Sequence, residues 1–169
     1  MLGGLVFAGW GKECVDGGLG LQFDGCRSSF SSIVIDKSGE RQIVNYRDFD
    51  FPTKANWLEN TSLNVDAILA DTRWQEGAEV AMSLAKRNDI PGIIDGEPPL
   101  HGTDEAMMAA SHVAFSAEGL RAYASKDDLE AGLKFAKQRL NNFICVTDGS
   151  NGCPIYTSDA ADENPSGDP

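Results

Sequence analysis

The sequence predicts an α/β protein, a partial doubly wound parallel sheet preceded by a β-hairpin. Two observations predict it. Residues 30–46 hold two short apolar runs separated by a turn, and from residue 65 short apolar runs alternate with longer segments that carry one apolar face. Strands alternating with helices of about 10–15 residues imply right-handed crossovers and parallel pairing.

The hairpin comes first. Residues 30–36 carry Ile33, Val34 and Ile35, and residues 41–46 carry Ile43 and Val44. Between them Asp36-Lys37-Ser38-Gly39 is a turn signal, because glycine takes a positive φ without a steric cost. Before the hairpin, residues 1–10 are apolar with no basic segment ahead of them, so they read as a strand or a ragged end and not as a signal peptide.

The alternating part follows. Residues 65–70 form a short apolar run suited to a strand covered on both faces. Thr72 with Gln75 three residues on has the form of a capping box, and Ala78, Ala81, Met82 and Ala85 then fall on one helical face. Residues 91–95 read as the next strand, 105–110 as a short helix, and 112–115 as a strand. Ser125 precedes a helix whose Leu129, Leu133, Ala136 and Leu140 share a face; residues 142–147 are a further strand, closed by a glycine-containing turn at 148–152. Residues 158–169, rich in Asp, Ser, Pro and Gly, read as a disordered acidic tail. The resulting division is a segment 1–24, a hairpin 25–52, a βα core 53–157 and the tail 158–169.

Composition excludes several classes. A chain of 169 residues, 41% hydrophobic and 24% charged, is ordinary for one globular domain, and no run approaches the ~18 apolar residues of a membrane span. The net charge of −12 repels phosphate backbones and disfavours nucleic acid and anionic membranes. It leaves a nucleotide site open, since such a site needs only a local positive focus. The cytoplasm is the expected compartment. Four cysteines without a C-x-x-C pair and two distant histidines give no metal-ligand spacing. Cys145, inside an apolar run, reads as a small buried hydrophobe.

Gly9-Trp10-Gly11-Lys12 ends in Glu13 where a phosphate loop needs Ser or Thr, and Gly17-Gly18-Leu19-Gly20 does not continue as a dinucleotide fingerprint. His101, in a loop after two prolines, has no named partner as an acid or base, and His112 reads as structural. Ligands of parallel sheets collect at the carboxyl ends of the strands. Asp71, Arg73, Asp95, Glu97 and Glu118 fall at such ends. Spacing leaves two readings open: a cluster that positions a metal-bound nucleotide and sugar hydroxyls, or carboxylates that cap helices.

Four stretches carry a resemblance. They are Arg27-Ser-Ser-Phe-Ser-Ser-Ile-Val-Ile-Asp36 with its Gly39-Glu40-Arg41 turn, Asp66-Ala-Ile-Leu-Ala-Asp-Thr-Arg-Trp74, Ser111-His-Val-Ala-Phe-Ser-Ala-Glu118, and Val146-Thr-Asp-Gly-Ser-Asn-Gly152. In this order they resemble the middle of the ribokinase-like (PfkB-type) carbohydrate kinases, in particular their ketohexokinase-like branch. The resemblance implies a ribokinase-like fold whose hairpin is a lid. It implies transfer of the γ-phosphate of ATP to a sugar hydroxyl with Mg²⁺ as the neutralising ion. By position it assigns Arg73, Asp95 and Glu97 to the substrate and phosphate rim, Ser116 and Glu118 to magnesium and phosphate, and Thr147, Gly149 and Gly152 to the nucleotide. The family's Asn-x-x-Glu is replaced here by Ser116-Ala117-Glu118-Gly119. Its catalytic Gly-Ala-Gly-Asp segment does not occur, so no catalytic residue is assigned, and an inactive chain is expected. The family's opening strand and sugar-gripping loop also find no match in residues 1–13. The alternative is a non-catalytic sugar- or nucleotide-binding module, or one that forms a homodimer through the lid edge.

Overall fold

The computed structural model describes residues 2–149, 152, 155 and 156. The chain forms two compact units, Met1–Pro52 and Thr53–Pro169. The tail at 158–169 and Cys153 lie outside the described residues.

The first unit opens with helix α1 (Leu2–Lys12), where a strand or ragged end is expected from the sequence. Four glycines within it weaken helix propensity, each by about 1 kcal/mol, which hides the helix from a propensity reading. Local packing supplies what propensity lacks. Phe7 and Trp10 lie three residues apart with ring centroids 5.0 Å from each other, and a side chain at Gly20 would run into the Phe7 ring, 2.6 Å away.

Strands β1 (Phe30–Ile35) and β2 (Arg41–Tyr46) then pair antiparallel, from Phe30 opposite Tyr46 to Ile35 opposite Arg41. Asp36 sets the turn: its carboxylate accepts from the backbone N–H groups of Ser38 and Glu40 and from the Ser38 hydroxyl, while Gly39 adopts φ +89°. These donors favour the ionised form and hold the Asp36 carboxyl below its ordinary range.

The second unit begins with a short helix α2 (Asn56–Glu59), tied to the next helix where Glu76 accepts from the Ala55 N–H at 2.8 Å. Parallel strands β3 (Ile68–Asp71), β4 (Gly92–Gly96), β5 (His112–Ser116) and β6 (Phe143–Thr147) stand side by side in chain order. A two-residue strand, β7 (Ile155–Tyr156), pairs antiparallel with β6. Between the strands run α3 (Gln75–Arg87), α4 (Asp104–Ala109), α5 (Ala117–Ala124) and α6 (Leu129–Arg139). The α/β class, the parallel sheet and the separate hairpin are as the sequence predicts.

Three details differ. Thr72 does not cap α3, whose N-cap is Trp74; its hydroxyl donates instead to the carbonyl of Glu97. Helix α5 occupies a stretch that carries no helix in the sequence reading. Ser125 is the left-handed residue (φ 51°) that ends α5, and Asp128 caps the helix α6 that follows it. Cys145 is half-buried where a buried hydrophobe is expected.

One core joins the elements. Ile94, Val113 and Ile144 form a row across β4, β5 and β6, with Phe115 and Val146 in register beyond them. All five are buried, together with Ala78 and Met82 of α3, Met107 of α4, Leu120 of α5 and Leu133 and Ala136 of α6. Asn142, just before β6, is buried and donates to the carbonyls of Met107 and Ala110, which fixes the end of α4 against the start of that strand.

Glycine is required where α5 crosses the end of β4. A side chain on Gly119 would collide with the Gly96 carbonyl oxygen, and one on Gly96 would meet the Phe115 ring at 2.6 Å. By contrast, a Cβ on Gly9 of α1 would meet nothing within 4 Å. Gly119→Ala is therefore expected to destabilise the second unit by about 1–3 kcal/mol, and Gly9→Ala to strengthen its helix by roughly 0.5–1 kcal/mol. Denaturant unfolding of the two variants checks both signs.

Candidate active site

The carboxyl ends of the four parallel strands meet along one edge, and the polar residues predicted from the sequence lie on it in two groups. Over β3 and β4 stand Asp71, Arg73, Asp95 and Glu97. Over β5 and β6 stand Ser116, Glu118, Thr147 and the turn that contains Gly149 and Gly152.

Register makes the first group. Asp71 and Asp95 are direct partners in the β3–β4 ladder. The Asp71 carboxylate accepts from the Arg73 N–H at 3.0 Å and sits 3.6 Å from its guanidinium. The Thr72 hydroxyl reaches across to the Glu97 carbonyl and ties the loop after β3 to the loop after β4. Burial pushes the Asp95 carboxyl above its ordinary range; the charges of Glu97 and Asp71 push the same way, and Arg73 opposes them. The cluster thus holds three carboxylates against one guanidinium.

In the second group the Ser116 hydroxyl accepts from the Gly119 N–H at 2.9 Å, so it serves as the N-cap of α5. Glu118 is exposed in the first turn of that helix, where the helix dipole favours an anion, and it is not among the charges acting on Asp95. The Thr147 hydroxyl points to the Phe115 carbonyl at 3.5 Å, one strand over. Asp148 N–H donates to the Gly152 carbonyl at 2.8 Å, and both Gly149 and Gly152 have positive φ, at +51° and +94°.

His101 is exposed; its carbonyl accepts from Gln75 at 2.6 Å. The His112 ring lies 2.7 Å from the Ser111 hydroxyl and packs on Phe143. Two shallow clefts, of about 190 and 370 Å³, share Asp104, Tyr123 and Arg139, and neither is lined by Asp71, Asp95 or Glu97. The cap role of Ser116 and the Thr72 bridge escaped the sequence. The Ser116-Ala-Glu-Gly119 spacing was the available signal for the first, a small polar residue two places before an acidic one at a helix start.

Among the described residues no three His, Cys, Asp or Glu side chains converge so as to hold a metal ion. Magnesium that travels with a nucleotide needs only one or two protein carboxylates, its other positions being phosphate and water. The exposed carboxylate of Glu118 fits an ion of that kind as one such donor and does not make a resident metal cage.

Residues 20–166 match the pfkB family carbohydrate kinase model. The chain belongs to the pfkB carbohydrate kinase family. Solved structures agree on the fold. An Agrobacterium tumefaciens protein described as a ribokinase is 29% identical, with 80% of this chain and 45% of that chain covered and a TM-score of 0.65. The ribokinase of Giardia lamblia is 13% identical, with coverages of 95% and 54% and a TM-score of 0.70. An Arabidopsis thaliana ribokinase, solved with ribose and ATP, is 14% identical, with coverages of 84% and 51% and a TM-score of 0.57. The chain spans about half the length of these proteins. No described helix is long and apolar enough to cross a membrane.

The raised Asp95 carboxyl yields a test. A carboxyl with a native pKa above its unfolded value of 3.8 binds its proton more tightly when folded. Stability therefore falls as pH rises from that value through the raised one, and the penalty is fully present above it. Asp95→Asn removes the penalty and is expected to raise stability at neutral pH by less than about 1 kcal/mol, because solvent screens an exposed cluster. Below the unfolded value of 3.8, where both states hold the proton, the two proteins should converge. Urea titrations at both pH values check this, and an Asn variant less stable at neutral pH contradicts it.

Proposed function

We propose that this edge is part of the site of an ATP-dependent kinase that phosphorylates a sugar hydroxyl. The observation that carries the reading is the family match combined with the register that places Asp71, Asp95 and Glu97 at the carboxyl ends of adjacent parallel strands. Phosphoryl transfer asks a protein mainly for positioning and charge neutralisation. Arg73, Asp95 and Glu97 form the substrate and phosphate rim. Asp95 and Glu97 accept from sugar hydroxyls, and Arg73 offers the cation for a phosphate. Glu118 beside the start of α5 takes the magnesium and phosphate side, with Ser116 holding the helix start in place. The Thr147–Gly152 turn takes the nucleotide. Magnesium supplies neutralisation of the transferring phosphate, and ATP is drawn from the cytoplasm.

No residue of the chain is assigned as the base that accepts the hydroxyl proton, because Gly-Ala-Gly-Asp is absent from the sequence. Loss of a general base costs ~10²–10⁴-fold in rate. The 169-residue chain is therefore expected to show no sugar-dependent ATP turnover above a protein-free blank in a coupled ADP assay across common hexoses and pentoses. Turnover well above the blank would overturn the inactive reading and leave the family chemistry standing.

A second reading, a homodimerising module, is favoured by the hairpin. All twelve residues of β1 and β2 are exposed, and Ile33 and Ile43 face each other across the ladder. Exposed apolar strands of this kind invite pairing with another chain. Ile33→Lys with Ile43→Lys is expected to convert a dimer to a monomer in light scattering while leaving the circular dichroism of the second unit unchanged. A wild-type chain that is already monomeric at high concentration excludes this reading.

A further inference from the structure

The helices of the second unit carry a depression that the strand-end site does not use. The two shallow clefts share Asp104, Tyr123 and Arg139, so they form one depression between α4 and the α5–α6 pair. Its larger part, about 370 Å³, falls within the range of small-molecule sites, roughly 300–1,000 Å³. Leu100 and Phe135 give that part an apolar lining.

Arg139 is the group in it that calls for a ligand. Its guanidinium lies over the Phe135 ring, 5.6 Å from the centroid, and is hydrogen-bonded to the Tyr123 hydroxyl. Tyr123 is itself fixed by Phe115 and Phe135, with ring centroids at 5.3 and 6.3 Å. Stacking uses the face of a guanidinium and leaves in-plane N–H groups, a planar fork that fits a carboxylate. The chain has 26 acidic residues against 14 basic, yet Arg139 makes no ion pair among the described residues. Asp104 and His101 line the same depression, and neither side chain is hydrogen-bonded to another among the described residues. The backbone beside them is held. The Leu100 carbonyl accepts from the Thr103 hydroxyl and the His101 carbonyl from Gln75, both at 2.6 Å. Walls fixed in advance lower the ordering cost of binding.

We propose that this depression binds a small organic acid, a monocarboxylate whose apolar body carries a hydroxyl or ammonium group. The carboxylate takes the Arg139 fork, Asp104 accepts from the hydroxyl or ammonium, and the body lies against Leu100 and Phe135. Asp104 sets the charge of the ligand. A dianion such as phosphate would gain at Arg139 and lose at Asp104, whereas a monocarboxylate with a donor satisfies both. The His101 ring adds one more hydrogen-bonding group. None of Asp71, Asp95 and Glu97 lines the depression, so this inference does not rest on the kinase reading.

The test is isothermal titration calorimetry of the full chain with four probes. Phenyllactate carries the hydroxyl donor, phenylalanine the ammonium, 2-phenylethanol lacks the carboxylate, and inorganic phosphate lacks the apolar body. One or both acids are expected to bind with a dissociation constant on the order of 0.1–1 mM, and the other two probes at least about tenfold more weakly. Arg139→Gln should weaken the bound acid by about 10–100-fold, and Arg139→Lys by less, because it keeps the charge and loses the fork. Asp104→Asn tells the donors apart: it weakens phenylalanine, and it leaves phenyllactate unchanged because the amide oxygen still accepts from a hydroxyl. Arg139 and Asp104 are exposed, and circular dichroism checks that the variants fold. Should one unfold, 2-phenylethanol makes the same comparison on the unaltered protein. Three results overturn the proposal: no heat from either acid at about 5 mM, 2-phenylethanol or phosphate bound as tightly as the acids, or binding indifferent to Arg139→Gln. Kinase activity is not a readout, so failure of the functional reading leaves this outcome untouched.

Discussion

Five side chains on one side of three parallel strands set the position of everything else in the second unit. Ile94, Val113, Phe115, Ile144 and Val146 can share a core only if β4, β5 and β6 keep their register, because a slip of one residue would turn every one of them to the other face. The same register carries Asp95 and Ser116 to a common edge. The chemistry at the strand ends is thus a consequence of packing several residues away. Change the register, and the carboxylates part company before any of them is mutated.

At that edge the tightest constraint is the approach of α5 to β4. Glycine at 96 and 119 lets the first turn of the helix rest against a strand carbonyl, and Ser116 caps that turn. Without a Cβ the helix start sits directly over the strand end, so its free N–H groups face the same side as the carboxylates. Bulk at either position would lift the helix and separate the two halves of the edge.

The parallel strands and the hairpin were legible in the sequence because period-2 and short apolar runs survive without tertiary context; β7, of two residues, was not. The hairpin turn was legible for a local reason, Asp36 and Gly39 at the required positions. Helix α1 was not, because four glycines mask it and its support is the packing of Phe7 against Trp10. Helix α5 was missed because at 8 residues it offers barely two turns of periodicity. At the site, Asp71, Arg73, Asp95 and Glu97 were visible as strand-end residues. Their electrostatic coupling was not, since it depends on the β3–β4 register and on the Thr72 bridge. Thr72 itself reads as a cap that would accept from a helix N–H, yet its hydroxyl donates to the Glu97 carbonyl in the neighbouring loop.

Charge then separates the two ends of the proposed site. Three carboxylates against one guanidinium leave the Asp71–Glu97 group negative, and the charges of Glu97 and Asp71 add to the burial that raises the Asp95 carboxyl. Such a group repels a bare triphosphate but accepts hydrogen bonds well from sugar hydroxyls. The turn at 148–152 carries one acidic residue, Asp148, and no basic one. Its glycines hold the backbone in positive φ, and no side chain at either glycine obstructs a planar or anionic group. Under the proposed function a sugar lies over β3 and β4 and a nucleotide over β6. In that reading the edge supplies the two ends of a reaction path, and a proton acceptor is what the Gly-Ala-Gly-Asp segment, absent from this sequence, would add.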